Sequence, residues 1–219
     1  AIHVDHDNFI HFDTEEEEVL CRYTTISSDT RIYRETAETT GMLSWIVQEL
    51  KKEGWLTGTV GLEMWSYRPN RAVSEVFQSA FEKEGCSVID GTDIVREVRA
   101  IKSPQEIAYV EKAAQIAEVG HKAAITSMRP GMTELDVYGE IVNAMAKAGG
   151  ENPALPVLVT SGPKCACLHA LATRKKIEKG EIVNIDLCGV FNRYHANMAR
   201  TYSIGKPNPD VAKVVELSA

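Results

Sequence analysis

Near residue 150 the spacing of apolar residues changes from about 3.6 to 2, and this break constrains the fold more than any other feature of the chain. Before it, Ile107, Val110, Ala114, Ala117, His121, Ala124 and Met128 recur on one face of a helix. Leu135, Tyr138, Ile141, Val142 and Met145 do the same until Gly149-Gly150. After it, residues 155–160, 181–190 and 194–204 alternate as strands, and the short turn at 191–193 predicts an antiparallel hairpin between the last two. Helices followed by antiparallel strands describe an α+β domain.

The helix borders are written into the same region. Ser103-Pro104-Gln105-Glu106 supplies an N-cap, a proline at the first helical position and a glutamate placed to close a capping box. Arg129-Pro130-Gly131 stops that helix, and Thr133 caps the next. Pro207-Asn208-Pro209 starts a final helix from about Asp210. The chain ends inside that helix, which reads as a truncated domain, and the domain is assigned to residues 98–219.

Residues 1–97 follow a different plan. Met42, Leu43, Ile46, Val47 and Leu50 form a helical stripe before Gly54, and 59–63 reads as a buried strand. Val73, Val76, Phe77, Ala80 and Phe81 repeat the pattern before Gly85, with a short strand at 86–89. This β-α-β-α-β order implies an α/β layer. Trp45, Trp55 and Trp65, ten residues apart, are expected as core or domain-interface aromatics.

Composition excludes several classes. No stretch approaches the roughly 20 apolar residues of a membrane span. The net charge of −7 comes from an acidic first hundred residues, so neither half resembles a nucleic-acid binder. The run Glu15 to Glu18 is read as a solvated loop or strand end rather than a calcium site. Cys21, Cys86, Cys165, Cys167 and Cys188 are an odd number without a small-domain framework, which implies reduced thiols and a cytoplasmic setting.

Chemistry-bearing residues concentrate between Ser161 and Thr201. Asp186, flanked by Ile185 and Leu187, would be costly to bury alone, so it should meet a metal ion, backbone amides or a basic side chain such as Arg200. Asn197 lies 11 residues later, nearly opposite Asp186 across a hairpin centred near 191–192, where both side chains share one face. His195 shares that face as a ligand, a proton relay or an ordinary strand residue. Cys165, Cys167 and His169 fall at period two and would face one way on an extended segment, a set that zinc or copper accepts. His169 itself reads either as a half-buried strand histidine or as a proton-transfer group.

His169, Asp186 in Asn184-Ile185-Asp186-Leu187-Cys188-Gly189, Tyr194, and Ala199-Arg200-Thr201 together resemble the core pattern of the creatinase, aminopeptidase P and prolidase (M24, pita-bread) family. Ile101-Lys102-Ser103-Pro104-Gln105-Glu106-Ile107 and Arg129-Pro130-Gly131-Met132-Thr133-Glu134 resemble its linker and helix starts. The resemblance spans about residues 95–205, with residues 1–94 matching only as a generic α/β domain.

It implies an incomplete amino-terminal domain followed by the first half of a pita-bread catalytic domain, a hydrolase of a C–N bond and a homodimer. The substrate would be a dipeptide or small molecule. Asp186 matches the first metal-binding aspartate, and Asn197 stands where the second is expected, so a divalent cation (manganese, cobalt or zinc) would meet a weakened site. His169 is implied as the catalytic group, and His169, Asn197 and Tyr194 as substrate contacts. Asn197 and Thr173-Arg174-Lys175 resemble the metal-independent creatinase branch more than a proline peptidase. A non-catalytic pita-bread binding protein is the alternative.

Overall fold

The structure, a computed structural model, describes residues 1–34, 39–65 and 70–218. The chain divides into two compact units, Ala1–Ile101 and Lys102–Ala219.

The first unit runs β1 (Ile10–Thr14), a 3-10 turn (Glu15–Glu17), α1 (Glu18–Thr24), β2 (Asp29–Tyr33), α2 (Thr39–Lys52), β3 (Thr59–Leu62), α3 (Arg71–Lys83), β4 (Ser87–Asp90) and α4 (Ile94–Ala100). β1 pairs with β2 and β3 with β4, both parallel, as crossover helices require. Ile10, Val47, Leu50, Phe81 and Cys86 close its core. α2, β3, α3 and β4 match the expected alternation, while α1 and α4 carry no strong apolar stripe and went unread.

The acidic run is not a loop: Glu15–Glu17 make the 3-10 turn and Glu18 opens α1, where carboxylates favour the positive end of the helix dipole. Arg34 binds Glu15 at 3.0 Å and Glu18 at 2.8 Å, while Glu15, Glu16 and Glu17 remain exposed, so the run is solvated as expected though helical rather than a loop. Of the three tryptophans, Trp45 packs edge-on against Phe12, and Trp55 packs against His3 and His6, whose rings also meet each other. Trp65 is exposed beneath Arg71 and is not a core residue.

The second unit is built from α5 (Pro104–Ser127), α6 (Glu134–Lys147), β5 (Leu158–Ser161), a 3-10 turn (Gly162–Ala166), β6 (Ile182–Phe191), β7 (Tyr194–Ser203) and α7 (Pro209–Ser218). The three strands form an antiparallel sheet in the order β5-β6-β7. Both expected caps are present: Ser103 with Glu106 and Thr133 with Asp136 each form a complete capping box. The hairpin turns at Asn192 and Arg193, both left-handed (φ 48° and 63°), as in a two-residue type I′ loop. Arg193 is an unusual residue there, and Glu151 holds it through both its backbone N–H and its guanidinium.

Val183, Ile185 and Leu187 point from β6 into α5 and α6 and are fully buried, each stabilising the unit by about 1.5–3 kcal/mol. The helix stripes are rotated in part from those expected: Ala117, His121 and Ala124 on α5 and Ile141 and Met145 on α6 are buried as read, and the other expected positions are not. On α5 the buried residues are Ala113, Ile116, Ala117, Gly120, His121 and Ala124, while Ile107 is half exposed. Gly189 explains the rotation: a Cβ there would overlap the Ala113 carbonyl oxygen and come within 2.6 Å of Ala117 N, so the helix backbone lies directly on β6. Only small residues fit such a contact, and apolar periodicity favours large ones. α6 likewise buries Val137, Ile141 and Met145, with Leu135, Tyr138 and Val142 turned outward.

Replacement of Gly189 by alanine should force α5 off the sheet. Chemical denaturation of the whole chain is expected to show a loss of at least about 3 kcal/mol, the upper end for overpacking, because backbone rather than a side chain must move.

Candidate active site

In an antiparallel sheet, directly paired residues share a face and alternate along each strand. Asp186 pairs with Ala199 and Leu158, Cys188 with Asn197, and Asn184 with Thr201 and Thr160. Because Val183, Ile185 and Leu187 occupy the helix side, Thr160, Asn184, Asp186, Cys188, Asn197 and Thr201 lie on the other, outer face. Asn197 Nδ2 donates to Asp186 Oδ1 at 2.7 Å and approaches Cys188 Sγ at 3.5 Å. Asp186 and Asn197 are therefore diagonal neighbours, two residues from the direct register expected, yet they share a face and touch.

Arg200 does not balance Asp186. It pairs with Ile185, on the opposite face, and donates to the Ala199 carbonyl oxygen. Among the described residues, Asp186 is satisfied by an amide and not by a salt bridge. Tyr194 is also on the helix side, where its hydroxyl donates to Glu106 at 2.8 Å and its ring meets Tyr109. That bond and those from Ser103 hold the Glu106 carboxyl at about 2, with the Ser103 backbone N–H contributing most. The structure thus separates Tyr194 from Asp186 and Asn197. His195 accepts from Ala154 N at 3.1 Å through Nε2, and its Nδ1 sits 2.9 Å from the Arg193 carbonyl oxygen, so it braces the hairpin turn.

The segment bearing His169 is fastened to the outer face. Asn184 Nδ2 donates to the Cys165 carbonyl oxygen at 3.4 Å, Thr201 donates to Asn184 Oδ1 at 2.9 Å, and Cys165 Sγ reaches the Thr160 and Ile182 carbonyl oxygens. Gly162–Ala166 forms a 3-10 turn and not an extended strand, so Cys165, Cys167 and His169 have no common face as a soft-metal set. His169 follows in an exposed turn and makes no hydrogen bond among the described residues.

What fixes that segment was not anticipated. Glu134, the first residue of α6, is completely buried. Its Oε1 accepts from Ser161 N and Oγ, both at 2.9 Å. Its Oε2 accepts from Lys164 Nζ at 2.6 Å and from Thr173 N and Oγ1 at 2.9 and 2.8 Å. Lys164 also reaches the Leu171 carbonyl oxygen, so residues 164–173 form a closed loop with His169 inside it. Lys175 extends the network to Ser161 and Glu181. Burial alone would raise the Glu134 carboxyl, but the hydrogen bonds from Lys164, Thr173 and Ser161 outweigh it and hold it below the usual carboxylate range. A glutamate just after an N-cap normally reads as solvated; Thr133-Glu134 within the family-like motif was its only sign in the sequence.

Around Asp186 and Asn197 the outer face offers one carboxylate, two amides, two hydroxyls and a thiol, and the His195 imidazole on the same face is committed to the turn. This donor set does not by itself fit a dinuclear divalent centre, which needs carboxylates able to bridge, and the Asn197 amide turns its donor toward Asp186.

Replacing Glu134 with glutamine should cost about 2–3 kcal/mol, less than the 3–5 typical of a fully buried broken pair because Lys164 is 21% exposed. Since the folded carboxyl lies below its unfolded value of about 4.3, its contribution is complete above pH 4.3 and lost as pH falls through the folded value. Denaturation between pH 7 and 2.5 should show a flatter acid limb for Glu134→Gln than for the parent chain.

The sequence profile of metallopeptidase family M24 matches residues 108–219. A Xaa-Pro dipeptidase from Pyrococcus horikoshii is 33% identical over 162 residues, covering 74% of this chain and 45% of that protein. An ectoine hydrolase from Halomonas elongata is 30% identical over 168 residues, covering 72% and 41%. Among solved structures, an X-Pro aminopeptidase from Thermotoga maritima superposes with a TM-score of 0.81 at 23% identity, over 96% of this chain and 55% of that one. The chain spans about half the length of the curated relatives it matches. The antiparallel sheet beneath two helices, the M24 profile and the superposition agree on a pita-bread fold, and the chain belongs to metallopeptidase family M24.

Proposed function

We propose that this chain carries part of the active site of a hydrolase that cleaves a C–N bond in a small polar substrate. Residues 1–97 would be a creatinase-type amino-terminal domain and 98–219 the first half of the catalytic domain. The scissile bond is an amide next to an imino acid, or belongs to a guanidino or ring-amide compound; a relative named as a Xaa-Pro dipeptidase supports the first class, and one named as an ectoine hydrolase supports a small non-peptide substrate. The enzyme would act as a homodimer in the cytoplasm, where free cysteines such as the five here persist.

The observation that carries the reading is the Asp186–Asn197 pair on the open face of the hairpin, in a chain of this family. Asp186 anchors an N–H or cationic group of the substrate, and Asn197 orients the carboxylate. His169 takes a proton from the attacking water and passes it to the departing nitrogen, while the water oxygen bonds to carbon and the C–N bond breaks. Imidazole is the side chain suited to that transfer near neutrality. The amide at 197 favours a site that works without manganese, cobalt or zinc. A second reading, a non-catalytic binding protein, is favoured by one observation, the engagement of Asp186 by that same amide.

The test is hydrolysis of Xaa-Pro dipeptides and of guanidino and ring-amide compounds by the whole enzyme containing this chain, with metal content measured. Turnover should survive chelation, and His169→Ala should lower kcat/KM by about 10²–10⁴, the range of general acid–base contributions. Two equivalents of metal with chelator-sensitive dipeptidase activity would overturn the metal-free mechanism. A near-normal His169→Ala enzyme would overturn the histidine's role, and substrate binding without turnover would establish the second reading. Residues 1–219 alone should give no turnover.

A further inference from the structure

Away from the hairpin, one group of metal-ligating side chains converges among the described residues. His11 and Asp13 stand two residues apart on β1 and so share a face, and α1 brings Cys21 against them. Cys21 Sγ lies 3.2 Å and His11 Nε2 3.6 Å from the same oxygen, Asp13 Oδ2. One ligand atom from each residue falls within 4.8 Å of the other two. A tetrahedral zinc site with ligand bonds of about 2.0–2.3 Å has edges of roughly 3.3–3.6 Å, so both separations from Asp13 Oδ2 lie within a few tenths of an ångström of such an edge.

The histidine is the second observation. Its Nδ1 is buried without a hydrogen-bond partner among the described residues, and its Nε2 stands at ion-pair distance from Asp13, 3.6 Å, beyond a hydrogen bond. Asp13, by contrast, is oriented: its Oδ1 accepts from Thr14 N at 2.9 Å, which leaves Oδ2 directed at the other two groups. Cys21 is buried, and burial followed by the Asp13 hydrogen bond pushes its thiol up, so it is no reactive surface thiolate. One nitrogen, one oxygen and one sulfur are a borderline set that zinc accepts and that calcium and magnesium, which need oxygen ligands, do not.

We propose that His11, Asp13 and Cys21 form a binding site for a zinc-class divalent cation, with water in the fourth position. The ion replaces the thiol proton, turns the Cys21–Asp13 hydrogen bond into two ligand bonds, and fastens β1 to α1. All three residues belong to the first unit, whereas the hydrolytic reading rests on residues of the second.

The whole chain, reduced and stripped of metal, is titrated with cobalt(II) and then zinc. One equivalent of cobalt should produce a sulfur-to-cobalt charge-transfer band in the near ultraviolet, zinc should abolish the band, and the thermal midpoint should rise with metal. Cys21→Ser should remove the band, and His11→Gln should weaken binding by at least about 100-fold, the upper end of what outer-shell changes cost. His11 is half-exposed, so His11→Gln keeps the test valid even if Cys21→Ser fails to fold. No band at millimolar cobalt overturns the site, as does a band that survives both variants and disappears when Cys165 and Cys167 are replaced.

Discussion

The buried carboxylate of Glu134 is the interaction on which the second unit depends. Removing an ionised group from water costs several kcal/mol, and here the cost is offset by five hydrogen bonds, one of them from Lys164. Because Glu134 sits in the first turn of α6, the helix dipole favours the same charge state. The three donor residues come from the end of β5, the 3-10 turn and the segment past residue 171. One carboxylate therefore fixes the relation of helix, strand and loop, and backbone pairing between residues 131–135 and 173–177 repeats the connection.

The sheet divides labour between its faces. Toward the helices it is apolar and so closely packed that Gly189 is required where α5 crosses β6. Two polar groups on that side engage each other: His121 Nε2 donates to the Met198 carbonyl oxygen and its Nδ1 accepts from Tyr202, while burial pushes the imidazole below its ordinary value. On the outer face Asn184 and Thr201 secure the loop, and Asp186 and Asn197 remain partly open to solvent. A hydrolytic site needs this combination of rigid support behind and accessible polar groups in front.

Local signals were readable and long-range ones were not. Ser103 and Thr133 announced their helices through side chains that bond within three residues, and the hairpin followed from alternation on both sides of a short turn. The buried face of α5 was legible at Ala117, His121 and Ala124 and that of α6 at Ile141 and Met145, while Ala113 and Gly120 escaped because a close helix–sheet approach selects small residues, which carry little periodic signal. The diagonal placement of Asp186 and Asn197 depends on which two residues occupy the turn. Glu134 stayed hidden because its partners lie 27 to 39 residues away. The soft-metal reading of Cys165, Cys167 and His169 assumed an extended chain where a 3-10 turn forms, and the helical turn of the solvated acid run at Glu15–Glu18 has no apolar period to mark it.

The central claim is that His169, carried by the loop that Glu134 closes, acts on the same substrate as Asp186 on the outer face of β6. A double-mutant cycle on kcat/KM for His169→Ala and Asp186→Ala in the whole enzyme tests it most directly. Residues acting as a unit lose most of their effect with the first replacement, so the double variant should be little slower than the slower single variant. Fully additive losses would mean that the two side chains act independently, and would contradict a shared site.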